Sequence, residues 1–255
     1  MIAALQLDDI AVRFGGVRAV DGVSVSIASG DFVGLIGPNG AGKTTLIRIV
    51  AGTIKPGRGR VMLAGADVTR VSTAARVRKG LALTHQIVRP FRAMTVLDNV
   101  VLAAGYRRTS NPLRAALNVE RRRESERAAD ILVRVGLGGS ESKLADTLPL
   151  GQMKRLEVAR ALALDPRIIL FDEPLAGLNH AEAVTQVETI AAVHAGGITV
   201  VLVEHNLEEV MRSCRRLIVL NEGRVIGDGA PQAVMAEPIV RDAYVGSGTG
   251  RNAPH

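Results

Sequence analysis

Gly37, Pro38, Asn39, Gly40, Ala41, Gly42, Lys43 and Thr44 follow the spacing G-x-x-x-x-G-K-T. Glycines let a backbone curl until successive N–H groups face one anion, the lysine adds a point charge, and the threonine hydroxyl can ligate Mg²⁺. The chemistry is phosphate binding, with Asn39, Gly40, Ala41, Gly42, Lys43, Thr44 and Thr45 as contact candidates and Thr44 as a metal ligand. Far downstream, the apolar run Ile168, Ile169, Leu170, Phe171 ends in Asp172 and Glu173. The two acids suit different tasks. Asp172 can hold Mg²⁺ through its water shell, and Glu173 can take the proton of a water attacking a terminal phosphate.

Both groups need elements to hold them. Phe32, Val33, Gly34, Leu35 and Ile36 read as a buried strand entering the glycine loop, and Lys43 to about Val50 reads as the helix leaving it. A helix starting there aims its positive dipole end at the phosphate. Alternation at Val23, Val25 and Ile27 predicts another strand, and the runs 198–203 and 217–220 predict core strands. Residues 152–164, 181–195 and 207–213 have helical composition. Strands alternating with helices predict an α/β fold with a largely parallel sheet, which binds ligands at its carboxyl edge. Val61, Leu63 and the Gly65, Ala66, Asp67 turn predict an antiparallel hairpin attached to it. From about Pro90 to Leu164 strand character is sparse, and Val119 to Val135 sets dense Arg and Glu against a Val and Leu face, which predicts an inserted helical lobe. Gly246 to His255 reads as a loose tail.

With 255 residues, 47% of them hydrophobic, the chain suffices for one α/β domain carrying a smaller lobe. No apolar stretch reaches the roughly 18 residues of a membrane span, and the N-terminus lacks a basic-then-apolar leader, so a cytosolic, unprocessed chain is expected. Cys214 has no second cysteine to pair with, which excludes a disulfide framework and leaves it a packing role. The formal charge of +7 fits nucleic acid, an anionic membrane surface or solvated basic helices. An aromatic content of 2% removes the stacking residues of a single-stranded nucleic-acid platform, so no nucleic-acid partner is expected.

Taken together, these motifs resemble the ATP-binding cassette family from about Leu5 to Gly246. Further segments carry the likeness. Gln86, after the strand Leu81 to Thr84, resembles the Q-loop glutamine, which touches Mg²⁺ and the attacking water and faces the membrane partner. His205, after the strand Thr199 to Val203, resembles the switch histidine that contacts the γ-phosphate. Leu148, Pro149, Leu150, Gly151 and Gln152 stand at the signature motif, and Leu175 to Asn179 at the D-loop. Phe14 lies where the family stacks an aromatic on adenine, with an ordinary core Phe as the alternative. His85, His180 and His194 lack such context and read as structural. Arg121, Arg122 and Arg123 read as a solvated helical face, with lipid headgroups as the alternative.

Two departures weigh on the site. Pro149 and Leu150 replace the signature serine and first glycine, so Gly151, Gln152 and the helix N-terminus remain to reach a phosphate bound by the opposite subunit. Asn179 replaces the D-loop aspartate and keeps hydrogen bonding without charge. The non-serine signature followed by Lys154, Arg155, Leu156 and Glu157 is similar to the ATPase subunits of branched-chain amino acid importers. Ala176 to Asn179, the segment Val203 to Asn206, the helical lobe with Tyr106, and the close Asp242 to Gly246 resemble that subfamily too.

The resemblance implies a P-loop NTPase cassette with a RecA-like core, an antiparallel β-subdomain and an inserted helical subdomain. The expected division is one domain over 1–245, core and β-subdomain at about 1–90 and 165–245, the helical subdomain at about 91–164, and a tail at 246–255. It implies ATP and Mg²⁺ as ligands and a dimer with a second ATPase, identical or a sister chain. It also implies permease subunits, a periplasmic or extracellular substrate-binding protein acting indirectly, and a peripheral place on the cytoplasmic face of the inner membrane. Urea or amide uptake, lipopolysaccharide export, and a nucleotide-gated binding module with little hydrolysis are the alternatives.

Overall fold

The computed structural model describes residues 3–105, 120–205 and 207–245. They divide into two compact units, the described residues of Met1–Arg76 with Thr199–His255, and Val77–Ile198. Tyr106, Asn206 and the tail 246–255 lie outside the described residues.

In the first unit, β1 (Ala3–Phe14) and β2 (Val17–Ala28) form an antiparallel hairpin across Gly15 and Gly16. Val20, Val23, Val25 and Ile27 are buried, three of them at the alternate positions the sequence marks. β4 (Arg58–Leu63) joins the other edge of β1 and returns as β5 (Ala66–Asp67), giving the order β2-β1-β4-β5. The expected hairpin is present, but its turn falls at Ala64 and Gly65, and Ala66 and Asp67 belong to the returning strand.

β3 (Phe32–Ile36) is buried at all five positions, as a strand covered on both faces must be. It runs parallel to β8 (Thr199–Val203) on one side and to β9 (Arg216–Asn221) on the other. β10 (Arg224–Gly229) lies antiparallel to β9. The helices α1 (Lys43–Ala51), α7 (Leu207–Ser213), α8 (Pro231–Ala236) and α9 (Pro238–Val245) accompany them. Arg76, in α2 (Thr73–Arg78), is only 1% exposed. Its Nη1 donates to the Ile49 and Val50 carbonyls at 2.7 Å each, Nη2 to Thr69 O and Nε to Val71 O at 3.1 Å each. Two of these carbonyls, those of Ile49 and Val50, lie in the last turn of α1, where the helix supplies fewer donors; Ile49 O also accepts from Gly52 N at 3.1 Å.

In the second unit, β6 (Leu81–Thr84) pairs in parallel with β7 (Ile168–Asp172). Between them in sequence come α3 (Val96–Gly105), α4 (Glu120–Arg134), a short 3₁₀ turn (Ala145–Thr147) and α5 (Leu150–Ala163). The helices pack on one another and bury Val100, Leu132 and Leu156. Among the described residues from 90 to 164 the only β pairing is a bridge between Thr95 and Leu144, so the segment is helical as its composition predicts. Arg122 is 90% exposed and pairs with Glu126 one turn on, a solvated face. α6 (His180–Ala195) follows β7. Among the described residues no helix is long and apolar enough to cross a membrane.

Cys214 is buried and free, and burial pushes its thiol up to about 12. A thiol so held is a packing group.

Candidate functional site

In the first unit the glycine loop leaves β3 and ends on Lys43, the first residue of α1. Gly42 caps that helix at φ 101°, where a Cβ would lie 2.3 Å from the Ala19 carbonyl oxygen. Only glycine fits a left-handed turn pressed so closely on backbone. α1 has no side-chain cap and no acidic residue in its first turn, so no carboxylate of its own competes for an anion there. Lys43 is buried, and its Nζ donates to Gly37 O at 2.6 Å and Pro38 O at 3.0 Å. The charge therefore sits over the loop that carries the amides. Asn39, Gly40 and Thr44 are exposed, Thr45 is half-buried and Ala41 is buried.

Phe14 ends β1 beside the Gly15 and Gly16 turn and is 49% exposed, which removes the core reading and leaves a ring face to solvent. His205 follows β8 with an exposed side chain; its backbone N–H donates to Glu204 Oε2 at 3.3 Å, and its Nδ1 lies 3.7 Å from the same oxygen. Glu204 is fully buried, so a sunken carboxylate holds the backbone from which the exposed imidazole projects. On α9, burial pushes the Tyr244 hydroxyl up to about 12 against the opposing effect of the Gly37 backbone.

In the second unit the parallel register Thr84 to Phe171 sets the exits of β6 and β7 side by side. Gln86 leaves the first and Glu173 the second, and Gln86 Nε2 donates to Glu173 Oε2 at 2.5 Å. Glu173 has φ 48°, a left-handed conformation uncommon for a residue with a side chain and frequent at functional sites. Asp172 is the last residue of β7. Lys154, from α5, donates to the backbone carbonyls of Gln86 at 3.4 Å and Glu173 at 3.2 Å.

α5 begins at Leu150 with Pro149 as its cap residue, no side-chain cap and no acid in its first turn. Gly151 and Gln152 stand in that turn, and Gln152 Oε1 is buried with no hydrogen-bond partner among the described residues. Asn179 is the N-cap of α6: its side chain accepts from Glu182 N at 3.0 Å, and Glu182 Oε2 accepts from Asn179 N at 3.1 Å. That reciprocal capping box is written in the sequence as Asn-x-x-Glu, a signal that spacing alone could have found. Lys154 and Tyr244 carry no comparable sequence signal.

Thr44 and Asp172 supply hard oxygen donors, and among the described residues no three His, Cys, Asp or Glu side chains gather as a metal cage. Each is the kind of hard oxygen that Mg²⁺ accepts, an ion that takes one or two protein oxygens and completes its shell with phosphate and water.

A glycine loop opening a helix, together with carboxylates at the end of a parallel strand, defines a P-loop nucleotide hydrolase. The profile of the ABC transporter family matches residues 20–176. The chain belongs to the ABC transporter family and is an ATPase of it. It is 36% identical over 248 residues to the high-affinity branched-chain amino acid transport ATP-binding protein BraF of Pseudomonas aeruginosa, covering 95% of this chain and 97% of that one. The lipopolysaccharide export system ATP-binding protein LptB of Acidithiobacillus ferridurans is 37% identical over 224 residues, covering 88% and 89%. Among solved structures, the ADP conformation of MJ1267, an ATP-binding cassette of an ABC transporter, superposes with a TM-score of 0.84 at 32% identity over 96% of this chain and 100% of that one.

Proposed function

We propose that this chain powers uptake of branched-chain or related amino acids across the cytoplasmic membrane, from its inner face, by hydrolysing ATP within a dimer of cassettes. The observation that carries the hydrolytic reading is the bond between Gln86 Nε2 and Glu173 Oε2. It aims a carboxylate and fixes one of its oxygens, as a base that orients water requires. Lys43 and the loop amides from Asn39 to Thr45 neutralise phosphate charge. Phe14 stacks on the adenine, and His205 contacts the γ-phosphate. Gly151 and Gln152 reach the nucleotide of the partner cassette through the uncapped start of α5. Thr44, Asp172 and Gln86 would hold Mg²⁺, which when bound would offset charge developing on the phosphate oxygens.

For the transported molecule, the likeness to BraF over nearly the whole of both chains supports amino acids. Permease subunits are the implied partners, with a substrate-binding protein acting through them. Exposed Phe91 and Leu102 line a cleft of about 440 Å³ in the second unit, an apolar surface suited to such a contact. Envelope-lipid export is the second reading, and the likeness to LptB favours it. Affinity purification of the chain from gently solubilised host membranes, followed by mass spectrometry, tests the choice. Two multi-span permeases, a sister cassette and an amino-acid-binding protein are expected; recovery of lipid-export components overturns the amino-acid reading.

A further inference from the structure

Lys154 stands on α5 just past the signature segment and is 3% exposed. A buried ammonium is unfavourable unless its donors find acceptors. Here Nζ finds the backbone carbonyls of Glu173 at 3.2 Å and Gln86 at 3.4 Å. These are the residues whose side chains bond to one another. One cation therefore grips from behind the two backbones that present the carboxylate and the amide.

The grip falls where the chain needs it. Glu173 holds φ 48°, which persists only when its surroundings fix it. Its carbonyl accepts from Lys154 Nζ and also from Ala176 N at 3.3 Å, so the left-handed turn is closed from both sides. Gln86 sits outside β6 on an exposed stretch, and its backbone carbonyl accepts from the same ammonium. We infer that Lys154 is a positioning residue for ATP hydrolysis, holding Gln86 and Glu173 in the register that lets their side chains meet. The inference rests on Glu173 acting as the base. It touches no reacting atom; it acts through the two residues it holds.

The position on α5 adds a consequence. The helix that begins with Gly151 and Gln152 also carries, one turn later, the cation that fixes Glu173. A shift of that helix start therefore reaches the base through one side chain.

The test compares Lys154→Met, Lys154→Gln and Glu173→Gln in the purified chain. Methionine matches the length and apolar body of lysine but donates nothing, whereas glutamine can donate to one carbonyl. The expected result for Lys154→Met is a fall in kcat of about tenfold or more with KM for ATP within about twofold, and partial recovery in Lys154→Gln. Hydrogen–deuterium exchange, which needs no turnover, should quicken in segments 85–90 and 173–178 while strands 81–84 and 168–171 keep their protection. Unchanged exchange in both segments, or kcat within twofold of wild type, overturns the inference. Exchange that rises evenly through the unit makes Lys154 a general packing residue and overturns it as well. If Glu173→Gln keeps full turnover, the base assignment itself fails; if that variant is inactive while Lys154→Met is normal, only the role of Lys154 falls.

Discussion

Gln86 Nε2 donates to Glu173 Oε2 at 2.5 Å, although 87 positions separate the two residues in the chain. Glu173→Gln keeps an amide oxygen able to accept that bond, so the site geometry should survive while the proposed base is lost. ATP binding is expected to stay near wild type and turnover to fall about 100-fold or more. Steady-state phosphate release and equilibrium nucleotide binding check the two halves; wild-type turnover would remove Glu173 from the role.

Lys43 carries a charge into the glycine loop through bonds to Gly37 O and Pro38 O. In Lys43→Ala both the loop clamp and the cation proposed to meet the phosphates go. Charge-assisted hydrogen bonds contribute about 1.5–3 kcal/mol, so nucleotide affinity should drop by roughly ten- to a hundredfold. Titration with a fluorescent ATP analogue measures this, and unchanged affinity would contradict the cradle.

The sequence was most legible where one periodicity ruled. β3 and the start of α1 fall where the apolar run and the glycine spacing put them, because burial on both faces and a backbone-anion loop each leave a local mark. The hairpin of β4 and β5 was foreseen, with its turn displaced by one residue, since Ala64 takes a positive φ usually reserved for Gly or Asn. β1, α2 and the closing elements β10, α8 and α9 were not foreseen; the last four are six to eight residues long and show little of a period, and β1 mixes polar and apolar residues across register shifts. Arg76 was invisible for another reason. An arginine reads as a surface residue until distant carbonyls gather around it, and those of Ile49 and Val50 lie 27 and 26 positions away. The meeting of Gln86, Glu173 and Lys154 belongs to the same class, because strand register and helix packing create it and no local spacing encodes it.

Asn179 and Glu182 close the start of α6 by mutual hydrogen bonds. Asn179→Ala should destabilise the fold by about 1 kcal/mol, whereas Asn179→Asp should hold wild-type stability because aspartate caps equally well. In a chain of this size that loss lowers Tm by roughly 2–4 °C, measurable by calorimetry. Equal Tm values for the two variants would show that the cap contributes nothing.

Arg76 satisfies four carbonyl oxygens from inside the first unit. Arg76→Met removes the buried bonds to Ile49 O and Val50 O together with the half-buried bonds to Thr69 O and Val71 O, each hydrogen bond from a charged donor being worth about 1.5–3 kcal/mol. A loss of at least about 3 kcal/mol is expected from urea unfolding, and a value under 1 kcal/mol would mean that water replaces the guanidinium.

Cys214 ties stability to alkaline pH. Burial raises its thiol from 9.0 to about 12, so the folded state favours the neutral form. That contribution is whole below pH 9 and is lost as pH rises from 9 towards 12, because the unfolded chain ionises first. The urea midpoint of the wild type should fall more steeply across that window than that of Cys214→Ala; parallel slopes would refute the assignment.

Glu182 spends one carboxylate oxygen on the Asn179 cap, and its other oxygen lies 3.0 Å from where a Cβ on Gly151 would stand. The glycine at 151 is thus reserved space for a distant residue. A methyl added there would push on the carboxylate and be felt as fraying of a helix that starts 29 positions further along the chain. Two segments read separately in the sequence share a single steric allowance, so a side chain added at Gly151 calls for movement of Glu182.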